Sequence, residues 1–254
     1  MTFAIYPSLA GRTVFVSGGA TGIGADIVRA FARNHARVAF CDLQVEAGEA
    51  LANKVANAGA TSLFFECDVA DVAALQDAIS ETGRRLGPIA VLINNAANDE
   101  RRAIDEVSVD YWDQMQNVNL RHHFFAAQAA RPQMRELGHG SIINLSSIAW
   151  RAGASEMPPY AAAKAGVVGL THALARAFGA DNIRVNAIEP GAVMTEKQRR
   201  LWYPKQESAD AIVARQAIRA TLIGEEVARA ALFLAADDSR MITKQSLIVD
   251  AGLR

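Results

Sequence analysis

Short apolar, β-branched runs alternate with amphipathic stretches along this chain, and that alternation restricts the fold more than any other feature. Strands that alternate with helices in this way form a parallel sheet with crossover helices on its faces. The runs predict strands at 13–17, 37–42, 62–67, 91–94, 141–145, 184–189 and 246–250. Helical periodicity fills 23–34, 45–58, 72–87, 109–137, 160–178 and 225–236. Pro158 and Pro159 suit a helix start, and Pro190-Gly191 cuts off the sixth strand. One stretch, 192–214, is irregular, charged and carries Trp202-Tyr203-Pro204. It is too long for an ordinary connection and reads as a lid. No repeat or linker divides the chain, so the expectation is one domain over 1–254: a single doubly wound parallel sheet of about seven strands with helices on both faces.

Composition narrows the possible functions. With 254 residues, 51% hydrophobic and 21% charged, the chain reads as an ordinary soluble globular protein. A net charge of −1 leaves no electrostatic footprint for nucleic acid or an anionic membrane. No uncharged apolar stretch reaches spanning length, and the first residues lack the pattern of a signal peptide. Cys41 and Cys67 each end an apolar run and precede an aspartate, which suits buried thiols in a reducing compartment. A cytoplasmic protein is expected. The five histidines show no metal-ligand spacing, and His122-His123 reads as a helix-surface or interface pair, so no metal site is expected.

The first strand runs into Ser17-Gly18-Gly19-Ala20-Thr21-Gly22-Ile23-Gly24. A glycine-rich turn between strand and helix lets the backbone approach a pyrophosphate and aims helix N–H groups at it. The spacing is Gly18-x-x-x-Gly22-x-Gly24. Asp42, eighteen residues after Gly24 at the end of the second strand, can bind adenosine ribose hydroxyls. The same carboxylate repels a 2′-phosphate, and neither Thr21 nor Leu43 offers a positive charge to pair with one. The reading is therefore NAD rather than NADP. Asp68, closing the third strand, is a candidate partner for the adenine, with a surface turn as its competing role.

Tyr160 and Lys164 lie one helical turn apart, thirteen residues after Ser147. Oxidising a carbinol removes a hydride and a proton together, so the reaction needs a general base. A tyrosine reaches pH 7–8 only if its pKa falls by roughly two to three units, about 3–4 kcal/mol. Lys164 on the same helix face supplies one positive charge and an oxidised nicotinamide another. Ser147 can hydrogen-bond the substrate oxygen.

In the order they occur, these motifs resemble the short-chain dehydrogenase/reductase family along the whole chain. The markers are Ser17 to Gly24, Cys67-Asp68-Val69, Asn94-Asn95-Ala96-Ala97, Val118-Asn119-Leu120, Asn144-Leu145-Ser146-Ser147, Tyr160-x-x-x-Lys164 and Asn186-Ala187-Ile188-Glu189-Pro190-Gly191. Two positions depart from the family pattern: Ser17 replaces a common threonine and keeps the hydroxyl, and Ala97 replaces a usual glycine. If position 97 needs a positive φ, alanine strains it.

The resemblance implies a Rossmann fold and a catalytic set of Asn119, Ser147, Tyr160 and Lys164, with Asn119 holding a proton-release water and Lys164 the nicotinamide ribose. It adds Ile23, Val69, Asn95, Ala96, Pro190 and Gly191 to the cofactor contacts, and places Val193 and Thr195 at the carboxamide. It also implies a homotetramer, or a homodimer, built through helices 109–137 and 160–178. Asn94 to Arg101, Tyr111-Trp112-Asp113, Ser147 to Trp150, Trp202-Tyr203 and the ending Asp250 to Arg254 look like the NAD-dependent D-xylose 1-dehydrogenases within that family, which implies an aldose substrate. Asn98, Arg102, Trp150, Gln198 and Trp202 are the candidate sugar contacts. Core packing competes for the tryptophans and solvated surface for the others. Another alcohol, such as a polyol, a 3-hydroxyacyl thioester or a steroid, is the alternative substrate. A protein that holds NAD as a sensor without turnover would be expected to lose Tyr160 or Lys164, and both are present.

Overall fold

The computed structural model describes residues 3–254. Seven strands form one parallel sheet: β1 (Thr13–Ser17), β2 (Arg37–Asp42), β3 (Ser62–Glu66), β4 (Ile89–Asn94), β5 (Gly140–Leu145), β6 (Ile183–Pro190) and β7 (Ser246–Val249). Their order is β3-β2-β1-β4-β5-β6-β7, which reverses direction between β1 and β4. That point is where doubly wound sheets open a crevice at the carboxyl ends of their strands.

Every residue of β1, β4 and β5 is buried, because helices cover both faces. Alternation along β1 splits the core in two. Val14 and Val16 face α1 (Gly22–Arg33) and α10 (Gly224–Ala235), packing with Phe31, Val227 and Leu232. Phe15 faces the other side, with Leu75 and Ile79 of α3 (Val72–Leu86) and Leu174 of α7 (Pro158–Phe178). Helix α2 (Val45–Asn57) closes the β2–β3 side through Leu51 and Val55. Each fully buried side chain of this size contributes about 1.5–3 kcal/mol.

Three readings from the sequence need correction. The long helix at 109–137 is helical throughout, but it consists of α4 (Val109–Gln116), a π-helical turn at Asn117–Arg121 and α5 (His122–Leu137). The stretch 192–214 is not irregular: it contains α8 (Glu196–Leu201) and α9 (Gln206–Arg215). His122 and His123 are not on the surface. Both are fully buried, their rings 4.2 Å apart, and His123 Nδ1 lies 3.3 Å from Asn144 Oδ1. Their period explains the burial, since His122, Ala126 and Ala130 share the apolar face of α5. Burial also drives His122 down to about 3, with the nearby Lys164 adding to the effect.

Candidate active site

The carboxyl ends of the strands border a cleft of about 1250 Å³, large for a ligand pocket. Its floor is the turn after β1. Gly18 has φ +65° and passes so close to the segment after β4 that a Cβ there would stand 2.7 Å from the Ala96 Cα. A Cβ on Gly24 would stand 1.9 Å from the Gly18 carbonyl oxygen. Asn95 stitches the turn to β4 by donating its side-chain amide to Gly18 O at 2.7 Å and Ser17 O at 3.2 Å. The Ser17 hydroxyl accepts from the Asn95 and Ala96 amides at 3.0 and 3.2 Å, so serine does this work without threonine's methyl.

Thr21 makes no side-chain cap on α1; its hydroxyl instead accepts from Gln44 Nε2 at 3.0 Å. The first amides of α1 thus face the cleft without a capping side chain, the arrangement that binds phosphate. Asp42 accepts from the Ala20 and Gln44 amides, both at 3.0 Å, and makes no ion pair among the described residues. Ala97 does not have a positive φ, so the alanine there carries no backbone strain.

All the residues read from the sequence as cofactor contacts line this one cleft. The turn supplies Gly18, Thr21, Gly22, Ile23 and Gly24; the ends of β2 and β3 supply Asp42, Asp68 and Val69. Asn95 and Ala96 follow β4, while Pro190, Gly191, Val193 and Thr195 follow β6. Glycine turn, uncapped helix and acidic strand end together fit a dinucleotide.

Ser147, Tyr160 and Lys164 line the same cleft. Pro158 and Pro159 open α7, which puts Tyr160 in its first turn and Lys164 one turn on. Lys164 is 1% exposed; its Nζ donates to Leu145 O at 2.8 Å and lies 5.6 Å from the Tyr160 ring centroid. Burial lowers Lys164 to about 7, against an opposing pull from Asp99. Burial raises Tyr160 above its ordinary value, the charge of Asp99 adds to this, and a hydrogen bond with Ser147 works against it. The chain alone therefore keeps the phenol protonated.

Asn119 sits in the π-helical turn, fully buried. Its side-chain amide donates to Met115 O at 2.9 Å and Asn98 O at 3.0 Å, and accepts from the Asn98 amide at 2.9 Å. It braces the loop after β4 against the long helix.

Of the five candidate sugar contacts, only Gln198 lines the cleft. Asn98 spends its backbone on Asn119. Arg102 turns outward, paired with Glu100 at 2.8 Å and stacked 3.7 Å from the Tyr111 centroid. Trp150 donates its indole N–H to Glu189 at 3.0 Å, as Arg151 does through two bonds of 2.7 and 2.9 Å. Trp202 donates to Asp99 at 3.2 Å from behind the wall.

Asp99 lies in the stretch Asn94 to Arg101 but was not singled out in the sequence. Its carboxylate also accepts from Lys197 Nζ at 2.6 Å and from Gln198 Nε2. These partners lie about a hundred residues apart in the chain, and no local pattern joins them.

Comparison with known proteins gives a consistent picture. The family described as enoyl-(acyl carrier protein) reductase matches residues 18–254. A probable galactose dehydrogenase of Rhizobium meliloti (strain 1021) is 46% identical over 98% of this chain and 97% of its own. A D-xylose 1-dehydrogenase of Caulobacter vibrioides is 41% identical over the full length of both chains. A crystal structure of a putative short-chain alcohol dehydrogenase from Sinorhizobium meliloti 1021 superposes with a TM-score of 0.92 at 31% identity, covering 97% of this chain and 98% of that one.

Proposed function

The chain belongs to the short-chain dehydrogenase/reductase family, and from that premise we propose that it is an NAD-dependent aldose 1-dehydrogenase. Its substrate is the cyclic form of an aldose, with D-xylose first among the candidates, and its product is the lactone.

One observation carries the choice of a sugar over an apolar alcohol. The cleft that Tyr160 lines is also lined by Asp99, Arg101, Glu156, Lys197 and Gln198, polar groups that can exchange hydrogen bonds with the hydroxyls of a sugar and offer little apolar surface to a steroid. The two full-length relatives, each named for a sugar, support it. Asp42 supports NAD, because a 2′-phosphate beside it would meet a carboxylate and no cation from Thr21, Leu43 or Gln44.

An oxidised nicotinamide bound here would supply a hydride acceptor and a positive charge. The glycine turn and the first amides of α1 would hold the pyrophosphate, Asp42 the adenosine ribose and Lys164 the nicotinamide ribose. Tyr160 Oη takes the proton of the anomeric hydroxyl as the hydride leaves the same carbon. Ser147 Oγ donates to that oxygen and steadies it as it becomes a carbonyl. The positive charge of Lys164, together with that of the nicotinamide, would favour the phenolate of Tyr160 that the chain alone disfavours, and the proton that Tyr160 gains is afterwards released to solvent. Asn119 fixes the loop that carries Asp99.

The test is a panel of aldoses and polyols with NAD and with NADP, following reduced cofactor by absorbance and the lactone by chemical trapping. Oxidation of D-xylose or a related aldose with NAD favoured is the expected outcome. Turnover of a 3-hydroxyacyl thioester or a steroid alcohol, with no aldose oxidised, would overturn the sugar reading.

A further inference from the structure

Asp99 projects from the loop after β4 into the wall of the cleft, and its side chain is only 17% exposed. Three donors converge on it, all from the lid. Lys197 Nζ reaches one carboxylate oxygen at 2.6 Å, while Gln198 Nε2 and Trp202 Nε1 share the other, the indole at 3.2 Å. Its backbone position is fixed from beneath, since Asn119 holds Asn98 on both sides of its peptide group. Helix α8 is fixed at its start by Thr195, which caps it by accepting from the Gln198 amide at 3.2 Å. The carboxylate and the Gln198 side-chain amide are therefore hydrogen-bonded neighbours in the cleft that Tyr160 also lines. Lys197 is more loosely held, with a side chain 45% exposed.

A carboxylate beside a primary amide has the chemistry for two neighbouring hydroxyls. The carboxylate accepts from both, and the amide both donates and accepts. Charge-assisted O–H···O bonds to such a carboxylate run to roughly 2.5–2.7 Å. Lys197, with water at hand, can leave its oxygen to an incoming hydroxyl at small cost.

Building on the aldose reading, we propose that Asp99 and Gln198 are the specificity-determining pair, binding two adjacent hydroxyls of the sugar away from the reacting carbon. Asp99 then does two things at once: it ties α8 down through Trp202, and it selects among epimers by where their hydroxyls point.

The experiment compares wild type with Asp99→Asn, Asp99→Ala, Gln198→Ala and Trp202→Phe at saturating NAD. The substrates are D-xylose, D-galactose, their epimers and monodeoxy analogues, with the dissociation constant of NAD followed by fluorescence. Asp99→Ala should raise KM for the preferred aldose tenfold or more and change the NAD constant by less than twofold. Removing the hydroxyl that Asp99 binds should cost wild type a similar factor, and should cost Asp99→Ala almost nothing further. Gln198→Ala should narrow the epimer preference in the same direction, whereas Trp202→Phe should leave epimer ratios as they are. Asp99→Asn, nearly the same shape, keeps the comparison valid should Asp99→Ala fold poorly. An equal loss on every sugar and every deoxy analogue would reduce Asp99 to a lid tether and overturn the proposal. If wild type oxidises no aldose at all, the sugar reading itself fails and takes this one with it; the wild-type panel alone separates the two failures.

Discussion

Tyr160 and Lys164 carry opposite burdens from the same burial. Each is driven toward its neutral form, the phenol upward and the ammonium down to about 7. Tyr160→Phe removes only the hydroxyl, so turnover should drop about 10²–10⁴-fold while NAD still binds; a titration of NAD fluorescence beside steady-state rates checks both halves. Rates within threefold of wild type would remove Tyr160 as the base. Lys164 gives a prediction of a different kind. Its folded pKa lies below the unfolded value, so the folded state binds fewer protons between about pH 7 and 10.5. Stability on this account is greatest above that window and is lost as pH falls through it. Lys164→Met should therefore raise the Tm of the cofactor-free protein at pH 7 by a few degrees while abolishing turnover, and gain less at pH 10; scanning fluorimetry at both pH values measures it. Both residues were legible in the sequence, because a tyrosine and lysine one turn apart need only a helix to meet. Asp99 was not: its partners at 197, 198 and 202 come to it through the fold alone.

Strands and main helices were readable to within two residues at most ends, since period and turn chemistry are local properties. Helix α8 escaped, although Thr195-Glu196-Lys197-Gln198 has the form of a capping box, and the structure shows its cap at 3.2 Å. A six-residue polar helix has no apolar stripe to announce it. The π-helical turn at Asn117–Arg121 escaped for another reason: one extra residue per turn leaves the hydrophobic period on both sides nearly unchanged. Trp150 was read as a sugar platform, whereas it helps to pin α6 (Ala149–Ala152), just after Ser147, to β6 through Glu189. The Glu189 side chain is fully buried, accepts from Arg151, Trp150 and Ser246, and is held below the usual carboxylate range; burial alone would raise it, but its donors outweigh that. Glu189→Ala should cost about 2–3 kcal/mol, less than a fully buried pair because Arg151 is one-third exposed. A Tm lowered by roughly 4–12 °C is the expected reading, and one unchanged within a degree would dismiss the brace. The Glu189 contribution is present above its ordinary pKa of 4.5 and is lost as pH falls below it.

At the scale of the whole molecule, a reversal of strand order at β1 and β4 gathers the cleft from segments as distant as Gly18 and Thr195. The strand–helix alternation foretold this sheet because a parallel arrangement with right-handed crossovers leaves few other topologies. Assembly is less legible, since a surface that pairs with a copy of itself carries no periodic mark. Val109, Trp112 and Phe124 remain 76%, 41% and 41% exposed on α4 and α5, the helices through which the family resemblance implies association. We propose a homotetramer on that basis. Light scattering should give four times the 27.2 kDa chain mass, and Phe124→Glu should lower it; a monomeric wild type would dismiss the assembly.

The crowding of Gly18 against Ala96 and of Gly24 against Gly18 has a consequence for how such a protein can change. A side chain at Gly18 or Gly24 would have to displace the backbone of Ala96 or of the turn itself, so natural drift and deliberate redesign find little foothold at these two positions. Leu43 and Gln44, by contrast, are exposed at the rim beside Asp42. A lineage that exchanges one dinucleotide for another has Thr21 and this rim to work with, while Gly18 and Gly24 beneath stay as they were.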